Sequence, residues 1–282
     1  MSGDRPSKAL DMLALTSALS AFVVVAGLVV LVADVTLDGW GLISFRFVTS
    51  PPSRFGEVAG VGPAVAGTLL LGLVTAVVAW PVGVGAAVYF EEYAAPGRLR
   101  RWVVACMANL AGIPSVIYGL VGLAVFVRGL GLGQSVLAAG LTLAALAVPT
   151  IFVTSMESIR TVPTSLREAA YGLGATRWQV IRHHVLPQAM PGVVTGSVLA
   201  FTRTVGETAP LLVLGAASFI SFAPAALRDP FSSLPTQIYA WIARPEAGFG
   251  ALAAGAIIVL LVILVAMNTL AALVRRRFEV RL

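Results

Sequence analysis

Charge is scarce in this sequence. Lys, Arg, Asp and Glu make up 11% of its 282 residues, against roughly 25% in an ordinary soluble domain, while 58% are hydrophobic. A water-soluble fold cannot bury that much apolar surface. Cysteine occurs once, as Cys106, which excludes a disulfide framework and a thiolate metal cluster. Lysine also occurs once, as Lys8 in Pro6-Ser7-Lys8-Ala9. A P-loop needs a lysine after a glycine-rich turn, so ATP chemistry must lie in another chain. The two histidines, His183 and His184, are adjacent and fall on different faces of a helix. They supply neither a nucleophile with its base nor a metal site, which argues against an intramembrane enzyme. No internal repeat is visible, so a pseudo-symmetric pathway would require a second subunit.

What the chain does contain is long charge-free runs, at 12–33, 58–90, 102–127, 129–156 and 247–274. A bilayer-spanning helix needs about 20 apolar residues, because in hydrocarbon every backbone polar group must be satisfied within the segment. These runs predict five spans. A further apolar region, 183–227, is interrupted only by Arg203 and Glu207, and reads as one long span or two short ones. Lys and Arg collect on the cytoplasmic side. With six spans, that side holds Arg5, Lys8, Arg98, Arg100, Arg101, Arg160, Arg167, Arg177, Arg182, Arg275, Arg276, Arg277 and Arg281. The outer side holds only Arg46, Arg54, Arg128, Arg228 and Arg244, and a seventh span would move the Arg275–Arg277 cluster outside. The expectation is an all-α polytopic membrane protein with six transmembrane helices and both termini cytoplasmic. Residues 12–33 are too long for a signal-peptide core and read as a retained first helix. The net charge of +6 sits in short loops flanking spans, which fits membrane lipid and gives no nucleic-acid patch.

Outer loops are expected at 34–61 and 218–248, the latter with Trp241 at the interface. Pro63, Pro81, Pro114, Pro149 and Pro210 fall in or beside spans, where neighbouring helices satisfy freed carbonyls. Gly67, Gly72, Gly83, Gly85, Gly112, Gly119 and Gly122 are expected to let helices approach closely.

Between spans, residues 157–188 turn polar but keep helical composition, predicting two short helices separated by Gly172 and Gly174. Thr164 or Ser165 is placed to cap the first, with Glu168 three residues beyond Ser165 as in a capping box. Tyr171, Leu173 and Trp178 would be exposed contact residues for a soluble partner; an amphipathic helix lying on the membrane is the competing reading. Glu168-Ala169-Ala170, Gly174 and Leu186-Pro187 resemble the Glu-Ala-Ala loop of ABC importer permeases at that family's spacing, departing at His184, where an Ile is usual. The resemblance implies a type I ABC importer permease fold whose coupling helix, Glu168 to Gly174, docks on a separate ATPase.

Arg203 and Glu207 are four apart, so on a helix they share a face and can pair. Charges within a span are costly unless they face the bundle interior or a water-filled cavity. Arginine offers a planar fork of donors suited to oxyanions, and the neighbouring carboxylate would keep anion binding weak. A structural ion pair and a proton relay are the competing roles. The run Arg203-Thr204-Val205-Gly206-Glu207-Thr208-Ala209-Pro210-Leu211-Leu212 resembles the PstA-type permease subunits of bacterial phosphate ABC importers. So do Gly62-Pro63-Ala64 with Gly67-Thr68-Leu69, Gly112-Ile113-Pro114-Ser115-Val116-Ile117-Tyr118-Gly119, and Leu234-Pro235 with Ile238-Tyr239. The matches cover most of the chain from Gly62 onward. They imply a permease core over 62–282, while residues 1–61, where nothing functional is carried over, read from the charge-free run as a first helix and outer loop. Arg203, Glu207, Asn109 and Ser115 are the candidates for the substrate pathway, and Glu168, Ala169, Ala170, Gly174, Leu186 and Pro187 for ATPase coupling.

The family also implies partners: a homologous PstC-type permease, a PstB-type ATPase dimer that holds ATP and magnesium, and an extracytoplasmic PstS-type phosphate-binding protein. No cofactor or metal is expected in this chain, and the expected location is the bacterial inner membrane. A permease for sulfate or molybdate, and a self-contained channel, are the alternative functions.

Overall fold

The computed structural model describes residues 8–215, 220–246 and 248–278. Arg5 and Arg281 of the inner charge count, and the loop positions Ser218 and Ala247, lie outside them. The long helices are α1 (Lys8–Gly39), α3 (Gly62–Val88), α6 (Val136–Arg160), α9 (Leu186–Val205) and α12 (Phe249–Phe278). Shorter ones are α2 (Phe45–Thr49), α4 (Arg98–Leu110), α5 (Ser115–Gly122), α7 (Thr164–Gly172), α8 (Arg177–Val180), α10 (Ala209–Val213) and α11 (Leu234–Ile242). Five stretches are long and apolar enough to cross a bilayer: Met12–Leu42, Gly62–Tyr93, Val136–Arg160, Arg177–Val205 and Phe249–Leu273. Arg98–Leu110 and Ser115–Gly129 form a pair bent by 104°, and counting it as one crossing gives six.

The expected polytopic all-α architecture is therefore present, with two corrections to the spans, at 102–127 and at the end of the first helix, and with 183–227 holding a single span as the six-span count requires. The run 102–127 is not one rod, because α4 stops before Gly112-Ile113-Pro114 and α5 restarts at Ser115. Pro114 has no N–H to give and drives Ile113 away from helical dihedrals. The first helix continues past residue 33 to Gly39, carrying Asp34 and Asp38 on its last turns. The region 183–227 holds one span, which ends at Val205 and is followed by a break and the short α10.

The core is built around α6, with α3 against one side and α9 against another. Ala79, Val84, Ala87, Ala144, Ala147, Ile151, Phe152, Met156, Val185 and Val193 fill these seams. Small residues govern the approach, since lipid supplies no hydrophobic drive between helices and packing must do so. A Cβ on Gly83 would collide with Ile151, and ones on Gly192 and Gly196 with Ser158 and Thr154. Of the glycines expected to act this way, Gly67, Gly83, Gly119 and Gly122 do. Gly85 faces open space, Gly72 has only an ordinary contact with Val205, and Gly112 meets only its own turn.

At one end, α2, α11 and the start of α12 pack together over the bundle. Trp241 is not an interfacial anchor: it is 2% exposed, between the rings of Phe47 and Phe249 at 6.3 and 6.4 Å. Leu234, Ile238 and Trp241 recur with helical spacing and give α11 an apolar face for this cluster. The N–H of Leu234 donates to Thr68 Oγ1 at 2.8 Å, fastening the loop to α3. Helix α1 packs on α12, with Gly39 against the backbone of Ala254 and Gly255, while its apolar stretch is unburied within the chain.

Candidate functional site

Arg203 lies in the last turn of α9, and Glu207 lies beyond the end of that helix. Gly206 caps the helix, and Pro210, in the first turn of α10, cannot continue it because its ring would meet the carbonyl four residues back. The Glu207 N–H instead donates to Thr204 O at 3.2 Å. Arg203 Nε stands 3.8 Å from Glu207 Oε1, with the arginine side chain 61% exposed and the glutamate 20%. The expected pairing is present, but it bridges a helix break instead of running along one helical face. At 3.8 Å it is an ion pair too long for a hydrogen bond.

Asn109 and Ser115 flank the other break, the elbow between α4 and α5. Asn109 is exposed and Ser115 half-buried. The Tyr118 hydroxyl donates to Leu110 O at 2.9 Å, so the carbonyl end of α4 is tied to α5. The two broken regions meet through their short helices: α5 packs on α10, and a Cβ on Gly119 would lie 2.7 Å from Pro210 Cα. Two helix ends with Asn109, Ser115, Glu207 and the exposed Arg203 guanidinium bring polar groups to this part of a largely apolar bundle. By contrast, a groove of about 480 Å³ beside α9 is lined mainly by apolar side chains such as Trp80, Met190, Phe201, Met267 and Leu270, with Ser197 and Thr202, and with no cationic side chain to attract an anion.

Of the two short helices expected over 157–188, α7 stands alone, whereas α8 runs on through a π-helical turn at Ile181–Val185 into α9 and so begins the Arg177–Val205 span. Gly174, between α7 and α8, has φ +83°, a conformation costly for any residue with a Cβ. The capping differs from expectation. Pro163 precedes α7 with no side-chain cap, and the capping box lies on α8, where Thr176 Oγ1 accepts from Gln179 N and Gln179 Oε1 accepts from Thr176 N. Glu168 and Ala169 are exposed, and Ala170 is buried in the core built around α6. Leu186 and Pro187 open α9 half-buried. Tyr171 and Trp178 are exposed, and Leu173 is 90% exposed.

Sequence reasoning did not single out Glu91 and Glu92, in the π-helical turn Tyr89–Tyr93 that ends the α3 span. Glu91 Oε2 accepts from Arg100 Nη2 at 2.8 Å and Arg160 Nε at 3.0 Å. Glu92 Oε1 accepts from Arg167 Nη2 at 2.9 Å. Their position at the foot of a charge-free run, opposite clustered arginines, was the available signal. Among the described residues no group of three or more His, Cys, Asp or Glu is placed to hold a metal.

Residues 79–280 match the family of binding-protein-dependent transport system inner membrane components. The phosphate transport system permease protein PstA 1 of Mycobacterium tuberculosis is 39% identical over 246 residues, covering 86% of this chain and 77% of that protein. The PstA of Yersinia pestis is 33% identical over 235 residues, covering 83% and 78%. A chain of a bacterial alginate ABC transporter, crystallised in complex with an alginate pentasaccharide-bound periplasmic protein, superposes with a TM-score of 0.65 at 19% identity, covering 99% of this chain and all of its own. Five apolar spans and a sixth, bent stretch among the described residues, a short exposed helix α7 between two of them, and these likenesses together show that the chain belongs to the inner-membrane components of binding-protein-dependent transport systems, as a multi-pass permease subunit of the PstA type.

Proposed function

We propose that this chain forms half of the translocation pathway of an ATP-driven phosphate importer. The observation that carries the choice of phosphate is the 39% identity to a phosphate permease across most of both chains. In this reading a PstC-type permease supplies the other half, a PstB-type ATPase dimer binds ATP and magnesium, and a PstS-type protein delivers phosphate from outside. Both termini are cytoplasmic, on the strength of the arginine distribution. Residues 1–61 contribute a first span and outer loop, and 62–282 the permease core.

Arg203 would meet the anion at the break between α9 and α10. Its guanidinium is exposed while remaining close to Glu207, so a passing oxyanion gains charge-assisted hydrogen bonds without deep capture. Asn109 and Ser115 would line the neighbouring break. The exposed face of α7, with Glu168 and Ala169 beside Tyr171 and Leu173, would dock on the ATPase, and Ala170, Gly174, Leu186 and Pro187 would hold that face in position.

The test is phosphate uptake by vesicles containing the reassembled complex, with and without ATP, challenged by sulfate and molybdate. ATP-dependent uptake that neither competitor suppresses supports the proposal. Preferential sulfate or molybdate transport, or phosphate flux through the lone chain without ATP, overturns it.

A further inference from the structure

We infer that Glu92 and Arg167 are positioning residues that make α7 and the inner end of α3 a single rigid body, so that displacement of α7 reaches the bundle. The inference rests on the reading above of a permease driven by a separate ATPase. Covalently, α7 is attached to α6 by Thr161-Val162-Pro163 and to α8 by Leu173–Thr176, short connections about which an isolated nine-residue helix could pivot. One guanidinium removes that freedom. Arg167 donates from Nη2 to Glu92 Oε1 at 2.9 Å and from Nε to the same oxygen at 3.3 Å. It also donates from Nη1 to Val162 O at 2.6 Å and from Nη2 to Ile159 O at 3.1 Å. Three elements, α7, the end of α3 and the end of α6, meet on this side chain.

The neighbouring carboxylate extends the link. Glu91 holds Arg100 in the first turn of α4 and Arg160 in the last turn of α6. Two consecutive residues of one π-helical turn therefore face different partners, one towards α7 and one towards α4 and α6. Turns of this kind recur at functional sites. Helix α7 correspondingly has two faces: Arg167 and Ala170 turn inward, while Glu168, Ala169 and Tyr171 remain exposed.

The alternative is that the pair only stabilises the fold. Glu92 is 7% exposed and Arg167 17%, and buried ion pairs are a poor way to gain stability, since apolar replacements often do as well. What this pair supplies that an apolar contact would not is directional attachment of α7, through four donor–acceptor contacts, to the end of α3, the end of α6 and the connection after it.

The experiment measures phosphate taken up per ATP hydrolysed by the full complex in vesicles, a ratio that loss of stability alone would leave unchanged in assembled complexes. Glu92→Gln keeps the side chain's shape and removes its charge; uptake per ATP is expected to fall roughly tenfold while hydrolysis continues. A second variant, Glu92→Cys with Arg167→Cys in a Cys106→Ser background, is expected to be equally uncoupled and to recover when a short bis-methanethiosulfonate bridges the two thiols. Wild-type uptake per ATP in assembled Glu92→Gln complex overturns the inference. So does a cysteine pair that transports normally when open and stops when bridged. If Glu92→Gln fails to assemble, the bridged and open cysteine forms decide between the same outcomes. Failure of the phosphate reading is separable: wild-type complex then carries no phosphate, and the ratio is taken with whichever oxyanion it does carry.

Discussion

Arg203 and Glu207 face each other across the end of α9, 3.8 Å apart from Nε to Oε1, with only the arginine inside the helix. An exposed pair at this distance contributes little to stability, typically about 0–1 kcal/mol. Its removal should therefore act on transport and leave the fold intact. Arg203→Ala is expected to lower ATP-dependent phosphate uptake at least about tenfold, a loss of roughly 1.4 kcal/mol of stabilisation, with an unchanged melting temperature in detergent. Arg203→Lys should recover only part, because a point charge does not reproduce the planar fork.

Glu168 projects from α7 into solvent, so reversing its charge disturbs no internal contact. Glu168→Lys is expected to abolish ATP-driven uptake and reduce co-purification of the ATPase, while the permease pair still assembles. Normal uptake with full retention of the ATPase would remove Glu168 from the docking face.

Thr68 Oγ1 receives the Leu234 N–H and donates to Ala64 O at 2.8 Å, all within a buried seam. Thr68→Val keeps the shape and leaves the Leu234 N–H unpaired, which should cost about 1–3 kcal/mol. A lower melting temperature, with transport per folded molecule unchanged, is the expected readout.

Gly119 has no room for a side chain. Its Cβ would lie 2.7 Å from Pro210 Cα and 2.9 Å from Pro210 O, which are backbone atoms that cannot swing aside. Gly119→Val should separate α5 from α10 and destabilise the chain by about 1–3 kcal/mol. Gly85→Val, at a position with open space around it, is the matched control and should behave as wild type in the same melt.

The spans were legible because hydrocarbon tolerates few charges, so Asp11, Glu91, Arg101 and Arg128 fall in or near the terminal turns of helical stretches, although α1 runs on past Asp34 to Gly39. Arg203 and Glu207 stood out as the only interruption of an apolar region for the same reason. The elbow at Gly112–Pro114 did not, because a charge-free run reports length and says nothing of direction. Trp241 was placed at the interface with the loop 218–248, although Leu234, Ile238 and Trp241 already carried the spacing of an apolar helical face. Ser165 and Glu168 match a capping pattern that Pro163 forestalls, while Thr176 and Gln179 realise the same pattern one helix later. The Glu92–Arg167 tie spans 75 positions, and no local rule links residues so far apart.

The elbow has a consequence for how motion passes along the chain. At 1.5 Å per residue, the arms Arg98–Leu110 and Ser115–Gly129 measure about 20 and 22 Å, each short of the roughly 30 Å of a hydrocarbon layer, and they are bent by 104°. A push along the axis of one arm therefore moves the other sideways instead of lengthwise, and Asn109 and Ser115 sit on either side of the corner where that change of direction occurs.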